Sequence, residues 1–328
     1  MALLGRLVHS DNAGVPQISG SFSAMATSVI LSVCPAPPLA AGHLQKALER
    51  VREVFSETEA SCSRFLQSTD LSKLNQSPSD WHSVAQLCFS AISEAYDAYK
   101  LTEGLFDPRI LRDLTSLGYV NSWTAGLPDS RSIPSGRTRQ ALNDWQPGFE
   151  SDGKVRIGEF PIDLGGIGKG LALRWSAKAI ESETPNFLIE AGGDCICSGS
   201  GPTGTGWNIG VQNPFQPEGD PLMVLRLSDI AVCTSSTAVR SWWQHGVLRH
   251  HIIDPRTGEP GGNGLTAVTV IAKDPALAEI WSKSLFLVGE ESIKEFSEFR
   301  GVAAAWITDR GEILRNSLAD PYIIWNSH

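Results

Sequence analysis

The chain is organised around the stretch Phe160-Pro-Ile-Asp163-Leu-Gly-Gly-Ile-Gly-Lys169-Gly-Leu-Ala-Leu-Arg174. It reads as the apolar end of a strand, an Asp, four glycines around one Lys, and the start of an amphipathic helix. Glycines let backbone amides approach a ligand closely and adopt positive φ, and helix N-termini bind phosphates. We therefore expect a phosphate-binding loop here, although a glycine-rich turn that packs a helix closely on a sheet would have the same composition.

The spacing of these glycines excludes the common phosphate-binding motifs. A Walker A loop needs four residues between its first Gly and the Gly-Lys pair, and a Ser or Thr after the Lys, where this chain has Gly170. The Gly-x-Gly-x-x-Gly pattern of dinucleotide-binding folds does not fit either. A phosphate site in this stretch would therefore be of another type.

The composition is that of a globular protein with an acidic balance. Its 328 residues allow about two domains or one large α/β or α+β domain, and 41% hydrophobic with 19% charged residues suits an ordinary core. The net charge is −9, and no stripe concentrates Lys and Arg. We therefore expect neither nucleic acids nor anionic membranes as general partners, while a local phosphate pocket is not excluded.

The cysteines and the N-terminus bear on the compartment. The six cysteines are scattered, and their one close pair, Cys195-Ile-Cys197, matches neither a zinc motif nor a disulfide framework. Reduced thiols in a cytoplasm are the simplest interpretation. The first residues lack the pattern of a signal peptide, and no apolar run reaches the ~18 residues of a membrane span. We therefore expect a cytoplasmic protein without a membrane anchor.

Hydrophobic periodicity predicts helices early in the chain and strands late. A β-branched run predicts a strand over 27–33, and apolar residues at helical spacing predict helices over 42–59 and 81–102. A later helix is predicted over Pro275–Val288. The other predicted strands are 186–190, 207–212, 222–227, 247–253, 266–272 and 302–308. This order indicates an α+β fold and not a regular βαβ alternation.

Two segments have irregular patterns. Residues 62–75 are polar and interrupted, which suits a loop with a short helical turn. Residues 122–161 are rich in Gly, Pro, Ser, Asp and Trp, which suits an irregular excursion or short hairpins.

Four further motifs place glycines or acidic residues at predicted strand ends. They are Leu105-Phe-Asp-Pro108, Glu190-Ala-Gly-Gly-Asp194, Thr234-Ser-Ser236 and His250-His-Ile-Ile-Asp-Pro-Arg-Thr-Gly258. Each of them alone is typical of an ordinary turn. Their combination in this order is far more specific.

In this order the motifs resemble those of the ApbE family, the FAD:protein FMN transferases. Phe22-Ser-Ala-Met-Ala-Thr27 and Ser68-Thr-Asp-Leu-Ser-Lys-Leu-Asn75 add to the resemblance, which runs from about Phe22 to about Gly289. It implies a single α+β domain of the T-fold-like type, with mixed and antiparallel sheets and packed helices, over residues 21–328 after an N-terminal extension of residues 1–20. It also implies that FAD is bound and that its FMN part is transferred, with Mg²⁺, to a Thr or Ser hydroxyl of an acceptor flavoprotein, releasing AMP.

The resemblance assigns residues to the FAD site by their position. They are Met25, Phe65, Leu105, Phe106, Asp107, Asp163, Lys169, Thr234 and Ile252. Phe65 stands where the family often has Tyr, and Lys169 would bring a flexible cation near the pyrophosphate. His251 would accept the proton of the acceptor hydroxyl, since a histidine pKa of ~6.5 suits a general base near neutral pH. Without the resemblance, a histidine on a strand would equally be a structural residue.

The expected metal site departs from the family pattern. The family usually carries Ala-Asp-Ala-x-x-Thr-Ala, whose Asp and Thr help to hold Mg²⁺ beside a carbonyl of the glycine-rich loop, but this chain has Ala278-Glu279-Ile-Trp-Ser-Lys283-Ser284. One interpretation is an exposed Glu–Lys pair on a helix, worth only ~0.3–0.5 kcal/mol. In the other, the Lys283 ammonium repels Mg²⁺ and itself neutralises Glu279 and the pyrophosphate. Lys283 would then act in catalysis, with the Gly166 carbonyl and Glu279 as weakened metal ligands.

Further departures leave functional alternatives open. Arg174, where the family frequently has Asp, would either add a bidentate phosphate contact or lie solvated on its helix. The leading hypothesis is an FMN transferase. The alternatives are a non-catalytic FAD-binding or flavin-delivery protein, and an FAD pyrophosphatase in which water replaces the acceptor hydroxyl. The chain carries no Ser/Thr-Gly-Ala-Thr acceptor motif, so self-flavinylation is not expected.

Overall fold

The structure is a computed structural model that describes residues 5–7, 17–34, 41–122 and 144–327. Within them the chain forms seven α-helices, two short 3-10 helices and seventeen strands. The helices are α1 (Ala41–Cys62), α2 (Asp70–Gln76), α3 (Gln86–Leu101), α4 (Leu111–Ser116), α5 (Gly168–Ile180), α6 (Pro275–Val288) and α7 (Glu290–Phe299), with 3-10 helices at Pro108–Ile110 and Asp320–Tyr322. The strands are β1 (Gly5–Leu7), β2 (Ile18–Ala24), β3 (Thr27–Val33), β4 (His82–Ser83), β5 (Gly148–Phe149), β6 (Lys154–Arg156), β7 (Phe187–Ala191), β8 (Asp194–Ser198), β9 (Trp207–Val211), β10 (Met223–Leu227), β11 (Ile230–Ser236), β12 (Ser241–Gln244), β13 (Val247–His250), β14 (Leu265–Ala272), β15 (Ala303–Thr308), β16 (Ile313–Arg315) and β17 (Ile323–Asn326).

The central feature is an eight-stranded sheet in the order β16-β15-β14-β11-β8-β7-β3-β2. Every neighbouring pair in it is antiparallel. A second sheet has the order β1-β9-β10-β17, and β4-β6-β5 and the hairpin β12-β13 form two small sheets. The predicted α+β class, with antiparallel sheets and packed helices in one domain, is confirmed.

The central sheet is buried on both faces because its strands alternate between two cores. In β7, Phe187 and Ile189 pack with α1 and α5, whereas Leu188 packs with Trp207 and other residues of β9 and β10. Successive side chains of a strand point to opposite faces, so one strand serves both layers. A further core lies between α6 and the strands β14 and β15. The helical layer over the sheet therefore consists mainly of α1, α5 and α6.

Helix α6 has the bounds predicted for it because the residues at both of its ends are typical of helix termini. Asp274 caps α6, accepting the Ala276 N–H at 2.8 Å, and Pro275 occupies the first turn. Gly289 follows the last residue with a φ of 83°. The predicted strand over 247–253 is too long, since β13 ends at His250. Of the irregular segment 122–161, residues 123–143 lie outside the described residues.

The glycine-rich stretch corrects two expectations. Residues 160–167 contain no strand, so the expected strand end is wrong; the Asp163 N–H instead donates to the Pro108 carbonyl at 2.7 Å. None of the four glycines has a positive φ. Close packing explains Gly170, because a Cβ there would lie 2.5 Å from the Pro275 carbonyl oxygen and 2.6 Å from the Ala276 Cα. This glycine lets the start of α5 touch the start of α6.

No helix in the part of the chain that the structure describes combines the length and apolarity needed to cross a membrane.

Candidate active site

One cavity brings most of the predicted site residues together. It lies where the glycine-rich stretch meets the β2–β3 turn, the end of α1, the loop after α3 and the chain that leaves β13. Its lining includes Met25, Phe65, Leu105, Phe106, Asp107, Asp163, Gly166, Lys169, His251, Ile252 and Lys283. Thr234 and Glu279 are the two predicted residues that do not line it.

Met25 reaches the cavity from a turn of unusual backbone conformation. The register Ala24↔Thr27 leaves Met25 and Ala26 as the two loop residues between β2 and β3, with φ of 50° and 56°. Such turns normally carry Asn or Gly, because a side chain disfavours positive φ. The Met25 methyl group lies 3.4 Å from the position of a Cβ on Gly168. The turn therefore holds Met25 against the first residue of α5.

The loop after α3 is fixed by a buried ion pair. Asp107 accepts the Arg109 N–H at 2.9 Å and binds the Arg109 guanidinium, with its Oδ2 2.7 Å from the Arg109 Nη2. Phe106 packs against the glycine-rich stretch, since a Cβ on Gly166 would lie 2.8 Å from its ring. The carboxylate of Asp107 thus shapes the loop, and Phe106 forms part of the cavity wall.

Asp163 is oriented by Arg64, a residue that the sequence analysis missed. The Asp163 Oδ1 accepts the Gly165 N–H at 2.7 Å, and its Oδ2 accepts from the Arg64 Nε. Arg64 also donates to the Tyr119 carbonyl at 2.9 Å, and its guanidinium lies 4.1 Å from the centre of the Phe65 ring. Its place next to Phe65 is the one signal in the sequence that could have indicated it.

A buried charge cluster lies beneath the glycine-rich stretch. The Glu279 Oε2 accepts the Gly170 N–H at 2.7 Å, and its Oε1 lies 3.0 Å from the Lys283 Nζ and 3.8 Å from the Lys169 Nζ. Lys169 also contacts the carboxylate of Asp194 on β8. Burial raises the pKa of Glu279, but the two ammonium groups and the amide outweigh it, so the pKa lies below its ordinary value. Two carboxylates and two ammonium groups therefore form one buried cluster of ion pairs.

The charge of Lys169 depends on opposing effects. Burial lowers the pKa of Lys169, the charges of Lys283 and Arg240 lower it as well, and the Glu279 carboxylate opposes them, so that the pKa lies at about 8. The contact with Asp194 also favours the ammonium form. At neutral pH Lys169 is therefore a cation.

His251 enters the cavity directly after β13. Its Nδ1 lies 3.4 Å from the Arg240 carbonyl oxygen, which can only accept a hydrogen bond, so Nε2 is left as the acceptor of the neutral ring. Burial, followed by the charges of Arg240, Lys283 and His250, lowers the pKa of His251 well below its ordinary range. The ring is thus neutral at physiological pH and can take up a proton.

Thr234 and Arg174 lie away from the cavity. The Thr234 hydroxyl is 2.9 Å from that of Thr269. The Thr234 N–H donates to Asp194 at 3.0 Å and so helps to hold the carboxylate that contacts Lys169. Neither expectation for Arg174 holds. Its guanidinium binds Asp274 at 2.7 Å and also contacts Glu94, so it ties α5 to α6 and α3.

The donors around Glu279 do not suit Mg²⁺. This ion requires near-octahedral oxygen ligands at about 2.0–2.1 Å. One Glu279 oxygen instead accepts the Gly170 amide, and the other accepts from the Lys283 ammonium and forms an ion pair with Lys169. The stem of Lys283 lies beside the glycine-rich stretch, with Cδ 3.5 Å from the position of a Cβ on Gly166. A protonated lysine is no ligand and repels a cation. Across the described ranges, no three His, Cys, Asp or Glu side chains are grouped to hold a metal.

Comparison with known sequences gives a consistent set of relatives. A family model described as the ApbE family matches residues 25–306. The FAD:protein FMN transferase of Vibrio cholerae serotype O1 is 28% identical over 272 residues, which cover 80% of this chain and 76% of the relative. Those of Klebsiella pneumoniae and Escherichia coli K12 are 27% and 26% identical, and the alignments span only 60% and 63% of their lengths and 61% and 64% of this chain.

Solved structures share the fold. The flavin transferase ApbE from Vibrio cholerae has a TM-score of 0.76 at 22% identity, and the ApbE protein from Thermotoga maritima has a TM-score of 0.76 at 25% identity. In both comparisons the match covers 94% of this chain and 99% of the other.

Proposed function

The chain belongs to the ApbE family, and from this premise we propose that it is an FAD:protein FMN transferase. Its relatives in Vibrio cholerae, Klebsiella pneumoniae and Escherichia coli bear that name. The observation that carries the proposal is the cavity itself, in which a neutral histidine and two lysines meet beside a glycine-rich helix start. These are the groups that transfer of a phosphoryl-linked flavin requires: a proton acceptor and fixed positive charge.

FAD is bound across the glycine-rich stretch, with its pyrophosphate near Lys169. The hydroxyl of a Ser or Thr on the acceptor flavoprotein attacks the phosphorus on the riboflavin side. A phosphoester bond forms between this oxygen and the phosphorus, the pyrophosphate bond breaks, and AMP leaves. His251 takes the hydroxyl proton on Nε2, since its neutral ring is oriented through Nδ1 by the Arg240 carbonyl.

Lys283 supplies positive charge where the family is expected to hold Mg²⁺. Its ammonium binds Glu279, and its stem lies beside Gly166, so the side chain reaches both residues that were predicted to hold the metal. Fixed charge of this kind stabilises the charge that develops on the phosphoryl oxygens in the transition state.

We further propose that the protein acts in a cytoplasm. All six cysteines are buried and unpaired, as expected of thiols in a reducing compartment.

The test is transfer of flavin to an acceptor protein that the Vibrio cholerae relative modifies, with that relative as the positive control. After incubation with FAD, we expect flavin fluorescence on the denatured acceptor and one AMP per attached flavin. FMN and AMP without an attached flavin would show a pyrophosphatase. Tight FAD binding without AMP release would show a binding protein, and either result overturns the proposal.

A further inference from the structure

Arg240 differs from the other cations that line the cavity. Arg64, Lys169 and Lys283 each lie within 4.0 Å of a carboxylate. Arg240 lines the same cavity, yet no carboxylate among the described residues lies within this distance of its guanidinium. Within the part of the chain that the structure describes, its positive charge is thus not neutralised by a neighbouring acid.

The backbone of Arg240 is held at the site. Its carbonyl oxygen faces the His251 Nδ1 at 3.4 Å, and the Tyr119 side chain lines the same cavity as Arg240. The Tyr119 ring stacks on Trp242, with ring centres 5.6 Å apart and planes at 24°. Trp242 is itself anchored by a 2.7 Å hydrogen bond from its Nε1 to the Leu117 carbonyl. The Tyr119 ring that lines the cavity with Arg240 is therefore held in place by an anchored neighbour.

Arg240 also lies near the two residues that act at opposite ends of the proposed reaction. Its charge lowers the pKa of His251, the proton acceptor, and that of Lys169, the cation at the glycine-rich stretch. Arg240, His251 and Lys169 all line the same cavity. This is where the proposed function places the pyrophosphate of FAD.

A guanidinium suits this ligand better than the two lysines do. Its planar fork can donate two parallel hydrogen bonds to phosphate oxygens, whereas an ammonium acts as a point charge. Lys169 and Lys283 already bind the Glu279 carboxylate, and each would have to weaken that contact to bind phosphate. Arg240 can bind a phosphate without giving up a carboxylate partner.

We propose that Arg240 binds the pyrophosphate of FAD through its guanidinium while its carbonyl orients His251. One residue then sets the distance between the proton acceptor and the phosphorus that is attacked. The inference rests on the proposed function only in taking FAD as the ligand.

The test compares Arg240→Gln and Arg240→Lys with Arg249→Gln as the matched control. Arg249 lies on β13 of the same hairpin, is paired with Glu259 at 2.7 Å, and does not line the cavity. Dissociation constants for FAD and for riboflavin, which lacks phosphate, are measured by flavin fluorescence. We expect Arg240→Gln to weaken FAD binding by about tenfold to a hundredfold, with riboflavin binding changed less than about twofold. Arg240→Lys should lie between wild type and Arg240→Gln, and Arg249→Gln should match wild type.

Titration of the His251 ring by NMR separates an electrostatic role from a structural one. Because the Arg240 charge lowers the pKa of His251, Arg240→Gln should raise this pKa, whereas Arg240→Lys should leave it near the wild-type value. Unchanged FAD binding in Arg240→Gln, or equal losses of FAD and riboflavin, would overturn the inference. These measurements need no acceptor, so a protein that binds FAD in this pattern but transfers nothing would refute the proposed function alone.

Discussion

The charged residues of this site form ion pairs, so the effect of replacing one of them depends on its partner. Glu279 is fully buried, and its ionised form persists because Lys283, Lys169 and the Gly170 amide all contact it. Removing one partner of a buried carboxylate commonly lowers the free energy of unfolding by ~3–5 kcal/mol. A substitution at either lysine therefore changes both the local stability and the field that the phosphates experience.

Lys283 gives the first prediction. Wild-type protein should transfer flavin in excess EDTA at a rate within about twofold of the untreated rate, because Lys283 supplies the charge. Lys283→Met should reduce transfer at least tenfold, since one buried ammonium is lost. Lys178→Met, on the exposed side of α5, should not. The double variant Glu279→Gln/Lys283→Met removes both charges together, so it leaves no buried carboxylate without its partner. If this variant also loses transfer, misfolding alone does not explain the loss in Lys283→Met. Loss of activity in EDTA that Mg²⁺ restores would contradict the prediction.

His251 gives a prediction on pH dependence. Its pKa lies well below 6.5, so the ring is neutral above that pH, and the transfer rate should not fall as pH is lowered from 7.5 to 6.5. His251→Ala should lower the transfer rate by about 10²–10⁴-fold while FAD binding remains. His245→Asn at the tip of the hairpin is the control, because Asn tolerates the φ of 50° there. A fall in the transfer rate centred near pH 6.5 would show that burial does not lower the pKa of this histidine.

Glu190 gives a prediction on stability. One oxygen of its buried carboxylate has no hydrogen-bond partner among the described residues, and burial raises its pKa to about 7. The folded state thus holds the proton more tightly than the unfolded chain, so the free energy of unfolding falls as pH rises from about 4.5 to about 7. Glu190→Gln should match wild type near pH 4 and exceed it by about 3 kcal/mol at pH 8.

Urea unfolding at several pH values measures this difference. Glu181→Gln, an exposed position after α5, should leave stability unchanged at every pH. A constant gap between Glu190→Gln and wild type from pH 4 to pH 8 would refute the role of ionisation.

At the scale of elements, Gly168 and Gly170 both lie in the first turn of α5, but only Gly170 lies at the contact with the start of α6. A Cβ on Gly170 would meet the backbone of Pro275 and Ala276, whereas a Cβ on Gly168 would meet only the flexible Met25 methyl at 3.4 Å. Gly170→Ala should therefore destabilise the protein by about 1–3 kcal/mol. Gly168→Ala should be neutral or stabilising by up to about 1 kcal/mol, as expected of alanine in a helix. Equal unfolding midpoints in urea for the two variants would contradict this explanation of the glycine-rich stretch.

Elements with local signals could be predicted from the sequence, and those that depend on distant partners could not. The bounds of α6 follow from Asp274, Pro275 and Gly289, which act within a few residues. β13 ends early because His251 turns into the cavity, a consequence of packing that no local pattern encodes. The same holds for the site: the ordered motifs indicated Lys169 and His251, but Arg64 binds Asp163 from a distant part of the chain, a contact that no motif encodes.

At the scale of the whole molecule, the cavity joins distant parts of the chain. Its lining includes Met25 from the β2–β3 turn, Asp163 from the middle of the chain and Lys283 from α6. A ligand held by all three must stabilise the folded state as a whole. At a free concentration one hundred times its dissociation constant, FAD should raise the free energy of unfolding by about 2.7 kcal/mol.

Chemical unfolding with and without FAD, followed by tryptophan fluorescence, measures this effect. Amide hydrogen exchange should show slower exchange in both the β2–β3 turn and α6 when FAD is bound. Slower exchange in only one of them would indicate that the ligand does not bridge the cavity.

The pairing of Glu279 with Lys283 also bears on how such a site can change in evolution. Replacing Lys283 alone by the hydroxyl residue that the family usually carries would remove one of the two ammonium groups that neutralise Glu279. Replacing Glu279 alone by the shorter Asp would withdraw the carboxylate from its partners. Either single replacement would leave a buried charge with fewer partners, so we expect the two positions to tolerate change together better than one at a time.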